Sequence, residues 1–175
     1  TDEYYGDFGI PNSTWGDFSD VSECCDASLL TGLGQQNVDG GPGGDTIWAR
    51  GDSGSVVLGG AGNDLIHLLS GHGSPNPSGY VDGGDGNDTI TNVTSLGGDS
   101  VLKGGNGDDS LNLGGGSDRL YGDAGADKFV IHPDEGSSNL DNVSIAKDFV
   151  DGEDLVLLAG DLQFSDLTIV APSSE

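Results

Sequence analysis

Large apolar residues recur along the middle of this chain at one fixed place in a nine-residue frame. Five segments follow the pattern G-G-x-G-x-D-x-U-x, in which U is a large apolar residue, and the fifth has Asp123 in place of the second glycine: 40–48, 59–67, 83–91, 104–112 and 122–130. Their eighth positions hold Ile47, Ile66, Ile90, Leu111 and Phe129. Glycine and polar residues dominate the first six positions, so the pattern predicts a tight turn followed by a short strand whose apolar side chain points into a core.

A second, degraded set of units lies between these strong units in the same frame. Residues 31–39, 50–58, 74–82, 95–103 and 113–121 keep an apolar residue at position eight, namely Val38, Val57, Val81, Leu102 and Leu120. Weak and strong units therefore alternate, ten in all, from residue 31 to residue 130. In a parallel solenoid two such units make one turn, so the strong units are expected on one edge and the weak units on the other.

The strong turns contain the ligand types that calcium prefers. Position six is an aspartate in each of them: Asp45, Asp64, Asp88, Asp109 and Asp127. Calcium takes about six to eight oxygen ligands in irregular geometry, so carboxylates and inward-pointing carbonyls suit it. The weak units have Gln36, Ser55, Gly79, Ser100 and Asp118 at this position, of which only Asp118 can bridge as a carboxylate. Five stacked strong turns leave four gaps, so we expect about four calcium ions in one row and a largely metal-free second edge.

In these units the chain resembles the RTX (repeats-in-toxin) family of calcium-binding nonapeptide-repeat proteins. The resemblance covers residues 31–130 and implies an all-β fold, a right-handed parallel β-roll. It also implies carbonyl ligands from positions one and three of the strong turns, which are Gly40, Pro42, Gly59, Ala61, Gly83, Asp85, Gly104, Asn106, Gly122 and Ala124. The family usually binds calcium on both edges, and the weak units of this chain depart from that pattern.

The segments on either side of the repeats are of a different kind. Residues 1–30 have no nonapeptide frame but contain Tyr4, Tyr5, Phe8, Trp15 and Phe18. We expect either a cap over the first turn or an arm that docks on a neighbouring subunit. Residues 148–156 fit D-F-x-x-G-x-D-x-U, which resembles the closing β segment of RTX proteins. The expected division is an N-terminal cap or arm (1–30), the β-roll (31–130) and a C-terminal capping segment (131–175).

The adjacent pair Cys24 and Cys25 provides the only cysteines of the chain. They are disulfide candidates, because in an oxidising environment such a pair forms a strained ring or links two chains. Two unrelated free thiols are an equal alternative. The C-x-x-C spacing typical of zinc sites is absent.

The charge of the chain makes its folding dependent on cations. Five Lys and Arg against 30 Asp and Glu give a formal net charge of −25 at pH 7. Self-repulsion opposes compaction, and only 33% of the residues are hydrophobic. Four calcium ions would reduce the charge to roughly −17 and bind only the folded form, so we expect folding to accompany calcium binding. Nucleic acid is excluded as a partner, because no basic patch is available to neutralise phosphates.

The sequence indicates a binding or structural module rather than an enzyme. Neither a G-x-S-x-G elbow nor a zinc-protease motif is present, and carboxylates saturated by calcium cannot act as acid or base. The first hypothesis is an extracellular structural or adhesive module that could assemble with copies of itself into filaments or matrix. The second is a non-catalytic accessory module of a secreted polysaccharide-modifying enzyme such as an alginate epimerase, with anionic polysaccharide bound through calcium.

The expected location is outside the cell. The resemblance implies export by bacterial type I secretion, and millimolar external calcium suits numerous weak sites. The longest apolar stretch, around residues 155–158, is far too short to insert into a membrane.

Overall fold

The computed structural model describes residues 2–5, 27–30, 37–51, 54–70, 79–92, 99–113, 117–132, 144–161, 163 and 165. These residues form fourteen β-strands, and no α-helix occurs among them. In chain order the strands are β1 (Asp2–Tyr5), β2 (Ala27–Leu30), β3 (Asn37–Asp39), β4 (Thr46–Gly51), β5 (Ser55–Ala61), β6 (Leu65–Ser70), β7 (Gly79–Asp85), β8 (Thr89–Asn92), β9 (Val101–Asn106), β10 (Ser110–Asn112), β11 (Arg119–Ala124), β12 (Lys128–Ile131), β13 (Ile145–Ala146) and β14 (Leu155–Leu158).

The strands stack into two parallel sheets that face each other. The eight-stranded sheet has the order β1-β2-β4-β6-β8-β10-β12-β14, and the six-stranded sheet has the order β13-β11-β9-β7-β5-β3. From β3 onwards, successive strands alternate between the two sheets, so two strands make one turn of a solenoid. The expected all-β parallel roll is confirmed.

The core lies between the sheets and consists of the position-eight residues together with Ala49 and Leu68. On the eight-stranded sheet the position-eight residues pair in register as Ile47, Ile66, Ile90, Leu111 and Phe129. On the six-stranded sheet the corresponding row is Val38, Val57, Val81, Leu102 and Leu120. All ten are at most 3% exposed. Each such burial stabilises the fold by roughly 1.5–3 kcal/mol, so the apolar period of the sequence is what holds the two sheets together.

Both ends of the roll continue the sheets beyond the repeats. At the start, β2 pairs with β4 so that Leu29 lies opposite Ile47, and β1 pairs with β2. Strands from the segment expected to be a cap or arm therefore extend the eight-stranded sheet. At the other end, β13 pairs with β11 and β14 pairs with β12. Each sheet thus gains one strand from the segment after the repeats.

Candidate calcium-binding edge

Five turns on one edge of the roll lead from the six-stranded sheet into the eight-stranded sheet. They span residues 40–45, 59–64, 83–88, 104–109 and 122–127, the first six positions of the strong units. We call this the strong edge, and the opposite edge, where the weak units turn, the weak edge. The alternation of units along the sequence thus becomes a separation in space.

Positions two and four of these turns require glycine for two reasons. Gly60 has φ 112° and Gly62 has φ 134°, which residues with a side chain rarely adopt. A Cβ at either position would also collide with a carbonyl oxygen of the preceding turn, that of Gly41 or Gly43. The other strong turns repeat this geometry, except that Asp123 takes position two of the last turn with φ 66°. Close stacking of main chain on main chain is therefore built into the pattern.

The position-six aspartates form a buried ladder of hydrogen bonds along the strong edge. Each of the five is at most 3% exposed. The main-chain N–H of each aspartate donates to Oδ1 of the aspartate in the next turn: Asp45 to Asp64 at 2.7 Å, Asp64 to Asp88 at 2.8 Å, Asp88 to Asp109 at 2.7 Å and Asp109 to Asp127 at 2.9 Å. One oxygen of each acceptor is satisfied in this way, and the bonds fix the stacking of the turns.

The second oxygen of these carboxylates faces acceptors rather than donors. Oδ2 of Asp64, Asp88 and Asp109 is buried without a hydrogen-bond partner in the described part of the chain. A Cβ placed on Gly59 would collide with both Oδ2 of Asp64 and the carbonyl oxygen of Gly83, so the two oxygens converge on one point. The turns on either side repeat this convergence. Buried acceptors that converge without a donor form a site that a cation would stabilise.

Burial also makes these carboxylates costly to ionise. Desolvation raises the pKa of Asp64 from 3.8 to about 6 and that of Asp109 to about 7. The same cause raises the pKa of Asp88 and of Asp127. In all four, the hydrogen bond from a main-chain N–H opposes the rise, and repulsion from neighbouring carboxylates adds to it. A bound divalent cation would supply the positive charge that this column lacks.

The carbonyl groups implied as ligands lie on the same edge. Position-three carbonyls accept an N–H from position four of the preceding turn: Gly43 to Ala61 at 2.6 Å, Gly62 to Asp85 at 2.6 Å, Gly86 to Asn106 at 2.7 Å and Gly107 to Ala124 at 2.7 Å. A carbonyl oxygen has two lone pairs, so one remains for an ion. No group of three His, Cys, Asp or Glu side chains that could hold a metal occurs among the described residues. An ion between two turns would therefore depend on main-chain carbonyls for much of its coordination.

The weak edge has a ladder of the same form, built mainly from hydroxyl groups. Gly79 N–H donates to Ser100 Oγ at 3.4 Å, and Asp118 N–H donates to Ser144 Oγ at 3.1 Å. Both oxygens of the buried Asp118 accept hydrogen bonds, Oδ1 from Ser100 N–H at 2.9 Å and Oδ2 from Asn92 Nδ2 at 2.8 Å. Asp118, a candidate ligand by sequence, thus has protein donors on both oxygens. Of the other position-six residues there, Ser55 is buried and Gln36 lies outside the described residues.

Two aspartates after the repeats close the strong edge. Asp127 N–H donates to Asp154 Oδ1 at 3.0 Å, and Val150 N–H donates to Asp154 Oδ2 at 2.7 Å. Asp148 accepts from Gly122 N–H at 3.0 Å and from Asp123 N–H at 2.8 Å. Asp154 therefore occupies the next place in the ladder, with both oxygens satisfied by N–H groups. The sequence marked these aspartates as part of a closing motif but did not predict that they continue the ladder.

A second ladder on the strong edge was not predicted at all. Position-five side chains accept N–H groups from the following turn: Asn63 Oδ1 from Asn87 at 2.8 Å, Asn87 Oδ1 from Asp108 at 3.0 Å and Asp108 Oδ1 from Ala126 at 2.9 Å. It runs in the opposite direction to the position-six ladder, so each central turn is bonded to both neighbours through side chains. The recurrence of Asn or Asp at position five was the available signal.

Comparison with known proteins identifies the repeat. The family model for the RTX calcium-binding nonapeptide repeat matches residues 80–91 and 95–129, in four copies. The longer match starts at the first residue of the weak unit 95–103, so it covers weak and strong units alike. The chain matches none of the curated proteins and none of the solved structures with which it was compared. No helix formed by the described residues is long and apolar enough to cross a membrane. Cys24 and Cys25 lie outside the described residues.

Proposed function

Because the family model for the RTX calcium-binding repeat matches residues 80–91 and 95–129, we propose that this chain is a calcium-dependent structural module whose ions lie in one row along the strong edge. The observation that carries the proposal is the column of buried carboxylates. Oδ2 of Asp64 and of Asp88 converges with a carbonyl oxygen of the next turn, and Oδ2 of Asp64, Asp88 and Asp109 has no hydrogen-bond donor among the described residues. Asp45, Asp64, Asp88, Asp109 and Asp127 would supply the charged ligands. The position-one and position-three carbonyls would supply the neutral ones.

The proposed number of ions is about four, one for each gap between the five strong turns. Two features support this count. Asp154 closes the last turn with both oxygens bonded to N–H groups, so that end needs no further ion. On the weak edge both oxygens of Asp118 accept hydrogen bonds from protein groups, so the buried carboxylate is stabilised there without a cation.

Calcium binding and folding would be one process. A net charge of −25 and a column of carboxylates with raised pKa oppose the folded state without calcium. The ions would remove that penalty only where two turns are stacked, because each site uses oxygens from both turns. The module would thus be poorly ordered in calcium-free solution and rigid in millimolar calcium.

The test is to follow β-sheet content by circular dichroism while calcium is removed and restored, and to count the ions by equilibrium dialysis. We expect most of the β-sheet signal to disappear in excess EDTA, to return with calcium but not with magnesium, and about four ions to be bound per chain. A spectrum that excess EDTA leaves unchanged contradicts calcium-dependent folding. Binding of eight or more ions would contradict the single row.

For the biological setting we propose an extracellular module, exported by type I secretion, with a structural or adhesive role. Support comes from the RTX repeat and from the fit of numerous weak sites to external calcium. In its extended form the proposal includes end-to-end assembly. In β14, the last strand among the described residues, the inward position is exposed: Val156 is 46% exposed, whereas its register partner Phe129 is 2% exposed. Leu155 and Leu157 are also exposed there.

Light scattering in millimolar calcium tests the assembly. We expect particle size to grow with protein concentration and to fall to that of a monomer after deletion of residues 1–23 or after Val156→Asp. The matched control is Val130→Asp, because Val130 is the same residue type but lies on the outward face of β12. This variant should leave particle size unchanged. A full-length chain that remains monomeric at high concentration rules out the filament and leaves a capped module.

A second candidate function, the polysaccharide-binding accessory module, is favoured by one face of the roll. The outward side of the six-stranded sheet carries Lys103 and Tyr121 in register, with the exposed Arg119 on the same strand and the exposed Lys147 just after β13. Lys103 Nζ lies 5.5 Å from the ring centroid of Tyr121 and 3.2 Å from Asp123. Three of the five Lys and Arg residues of the chain thus share one region. This supports direct contact with an acidic polymer, in addition to contact through calcium.

Binding to a uronic-acid polymer at constant calcium tests this candidate, with a neutral glucan for comparison. We expect the double variant Arg119→Ala, Lys147→Ala to lose about five- to tenfold in affinity, mostly at low salt. Lys128→Ala, on the outward face of the other sheet, should retain it. Equal losses in the two variants would show that the six-stranded face is not the contact surface.

A further inference from the structure

Asn106 and Gly107 form the only Asn-Gly pair in the chain, and they lie at positions three and four of a strong turn. We infer that this pair is a deamidation site protected by the folded roll, so that loss of calcium exposes the chain to an irreversible covalent change. The inference rests on the proposed calcium-dependent folding.

The chemistry requires only the chain and water. The main-chain nitrogen of Gly107 attacks Cγ of Asn106, the bond from Cγ to the side-chain nitrogen breaks, and ammonia leaves. Water then opens the resulting five-membered imide at one of its two carbonyls and gives aspartate or isoaspartate. Asparagine is thermally labile in proteins. Glycine favours this attack because it has no side chain to obstruct the nitrogen and because its backbone is permissive.

In the stacked turns, each of the two reacting groups is hydrogen-bonded to a different neighbouring turn. Gly107 N–H donates to the carbonyl oxygen of Ala124 in the next turn at 2.7 Å. The side-chain amide of Asn106 donates to Asp85 Oδ1 in the preceding turn at 2.7 Å. The carbonyl of Asn106 accepts Gly86 N–H, also at 2.7 Å. Attack therefore requires local separation from both neighbouring turns, and such separation is suppressed while the roll is folded.

The product would not fit the folded edge. The side-chain amide of Asn106 is a donor, and a carboxylate in its place would face Asp85 as a second negative acceptor at hydrogen-bond distance. Isoaspartate would in addition lengthen the main chain at the end of β9, where the strand enters the turn. Both products would hinder the turn 104–109 from stacking again between its neighbours, the turns 83–88 and 122–127. A chain modified in this way would refold incompletely when calcium returns.

The position-five asparagines provide an internal contrast. Asn63 and Asn87 are each followed by an aspartate instead of glycine, so the attacking nitrogen is more obstructed. Their Oδ1 atoms act as acceptors, and Asp108 fills the same role in the next step of that ladder. Conversion of Asn63 or Asn87 to aspartate would therefore preserve the hydrogen bond that it makes. Damage from deamidation is concentrated at Asn106.

The experiment incubates the full chain in mildly alkaline buffer with excess calcium, with EDTA, or with calcium and denaturing urea. Peptide mass spectrometry measures aspartate and isoaspartate at residue 106 over days, and circular dichroism records folding in each arm. We expect deamidation at Asn106 to be at least about tenfold faster in EDTA and in urea than in calcium, with little change at Asn63 and Asn87. The fraction of chains that refold on calcium addition should fall in step with the modified fraction, and the chains that fail to refold should be the ones that contain aspartate or isoaspartate at residue 106.

Each outcome is informative. Equal deamidation rates in calcium and in urea overturn the inference, because the folded edge then gives no protection. Full refolding of a fully deamidated sample overturns the claimed consequence. If EDTA leaves both the spectrum and the rate unchanged while urea accelerates the reaction, protection by the fold stands and the proposed calcium-dependent folding fails.

Discussion

Replacing Asp88 by asparagine separates the role of charge from that of hydrogen bonding in the strong edge. Asp88 borders two gaps, one towards Asp64 and one towards Asp109. Asparagine keeps an oxygen that can accept the N–H of Asp64, but it removes the charge and turns the second acceptor into a donor. We therefore expect Asp88→Asn to lose calcium from both gaps, so that about two of about four ions remain.

The magnitude follows from mass action. At a calcium concentration one hundred times its dissociation constant, one site adds about 2.7 kcal/mol to the free energy of unfolding, so two lost sites cost about 5 kcal/mol. Without calcium the sign reverses. Burial raises the pKa of Asp88, so its ionised form destabilises the calcium-free roll. Asp88→Asn should then leave the calcium-free roll equally stable or more stable.

The matched control is Asp118→Asn on the weak edge. Both oxygens of Asp118 accept hydrogen bonds, and asparagine would oppose its own amide to that of Asn92. The expected cost is about 1–3 kcal/mol, the same with and without calcium. Urea titrations in calcium, and in EDTA with a stabilising osmolyte, give the free energies, and calorimetry gives the ion count. Equal ion loss in the two variants would refute the single row, and an Asp88→Asn variant that binds calcium normally would refute the carboxylate column.

Three further outcomes are expected. In EDTA the β-sheet signal should decrease as pH rises from about 4 to above 7, because the folded pKa values of about 6 for Asp64 and about 7 for Asp109 exceed the unfolded value of 3.8, so only the folded state retains those protons. In calcium the trend should reverse, since protons compete with the ion for the carboxylates. A β-sheet signal that does not change with pH in EDTA would contradict the conclusion that burial raises these pKa values. Gly60→Ala should abolish calcium-induced folding, because the added Cβ would collide with the main chain of the preceding turn. The control Gly152→Ala, whose Cβ would have no atom within 4 Å, should lower the free energy of unfolding by only about 1 kcal/mol through backbone strain. Similar losses of stability in both variants would show that close stacking is not the constraint. Leu102→Ala should lower the free energy of unfolding in calcium by about 2–5 kcal/mol, measured by urea titration, because Leu102 is fully buried between the two sheets. A loss below about 1 kcal/mol would show that the position-eight residues are not tightly packed.

The sequence predicts the features of this fold that follow from a fixed period. Every position-eight residue from Val38 to Phe129 is buried, because a nine-residue unit brings its apolar residue to the same side of the sheet each time. The gathering of the strong turns on one edge follows from the same alternation. Neither conclusion requires knowledge of which side chains bond to each other.

The hydrogen bonds between turns could not be predicted in this way. The nine-residue frame aligns equivalent positions but does not show which atoms donate and which accept, and partners outside the frame lie at irregular separations. Successive steps of the position-six ladder join residues 19, 24, 21 and 18 positions apart. Asn92 reaches Asp118 across 26 positions, and Asp127 reaches Asp154 across 27. These pairs become visible only when the stacking register is known. The candidate Asp118 was selected by residue type, and only the structure reveals the amide that satisfies it.

The different construction of the two edges has a mechanical consequence. On the strong edge the proposed ions would act together with the hydrogen-bond ladders to set the distance between turns, whereas on the weak edge hydrogen bonds join the described turns. A stack whose two sides are joined by different bonds bends when only one kind of bond changes length. Each turn contacts only its neighbours, so small differences would add along the axis. The calcium concentration would then determine the curvature of the roll as well as its order, and rolls joined end to end would coil rather than run straight.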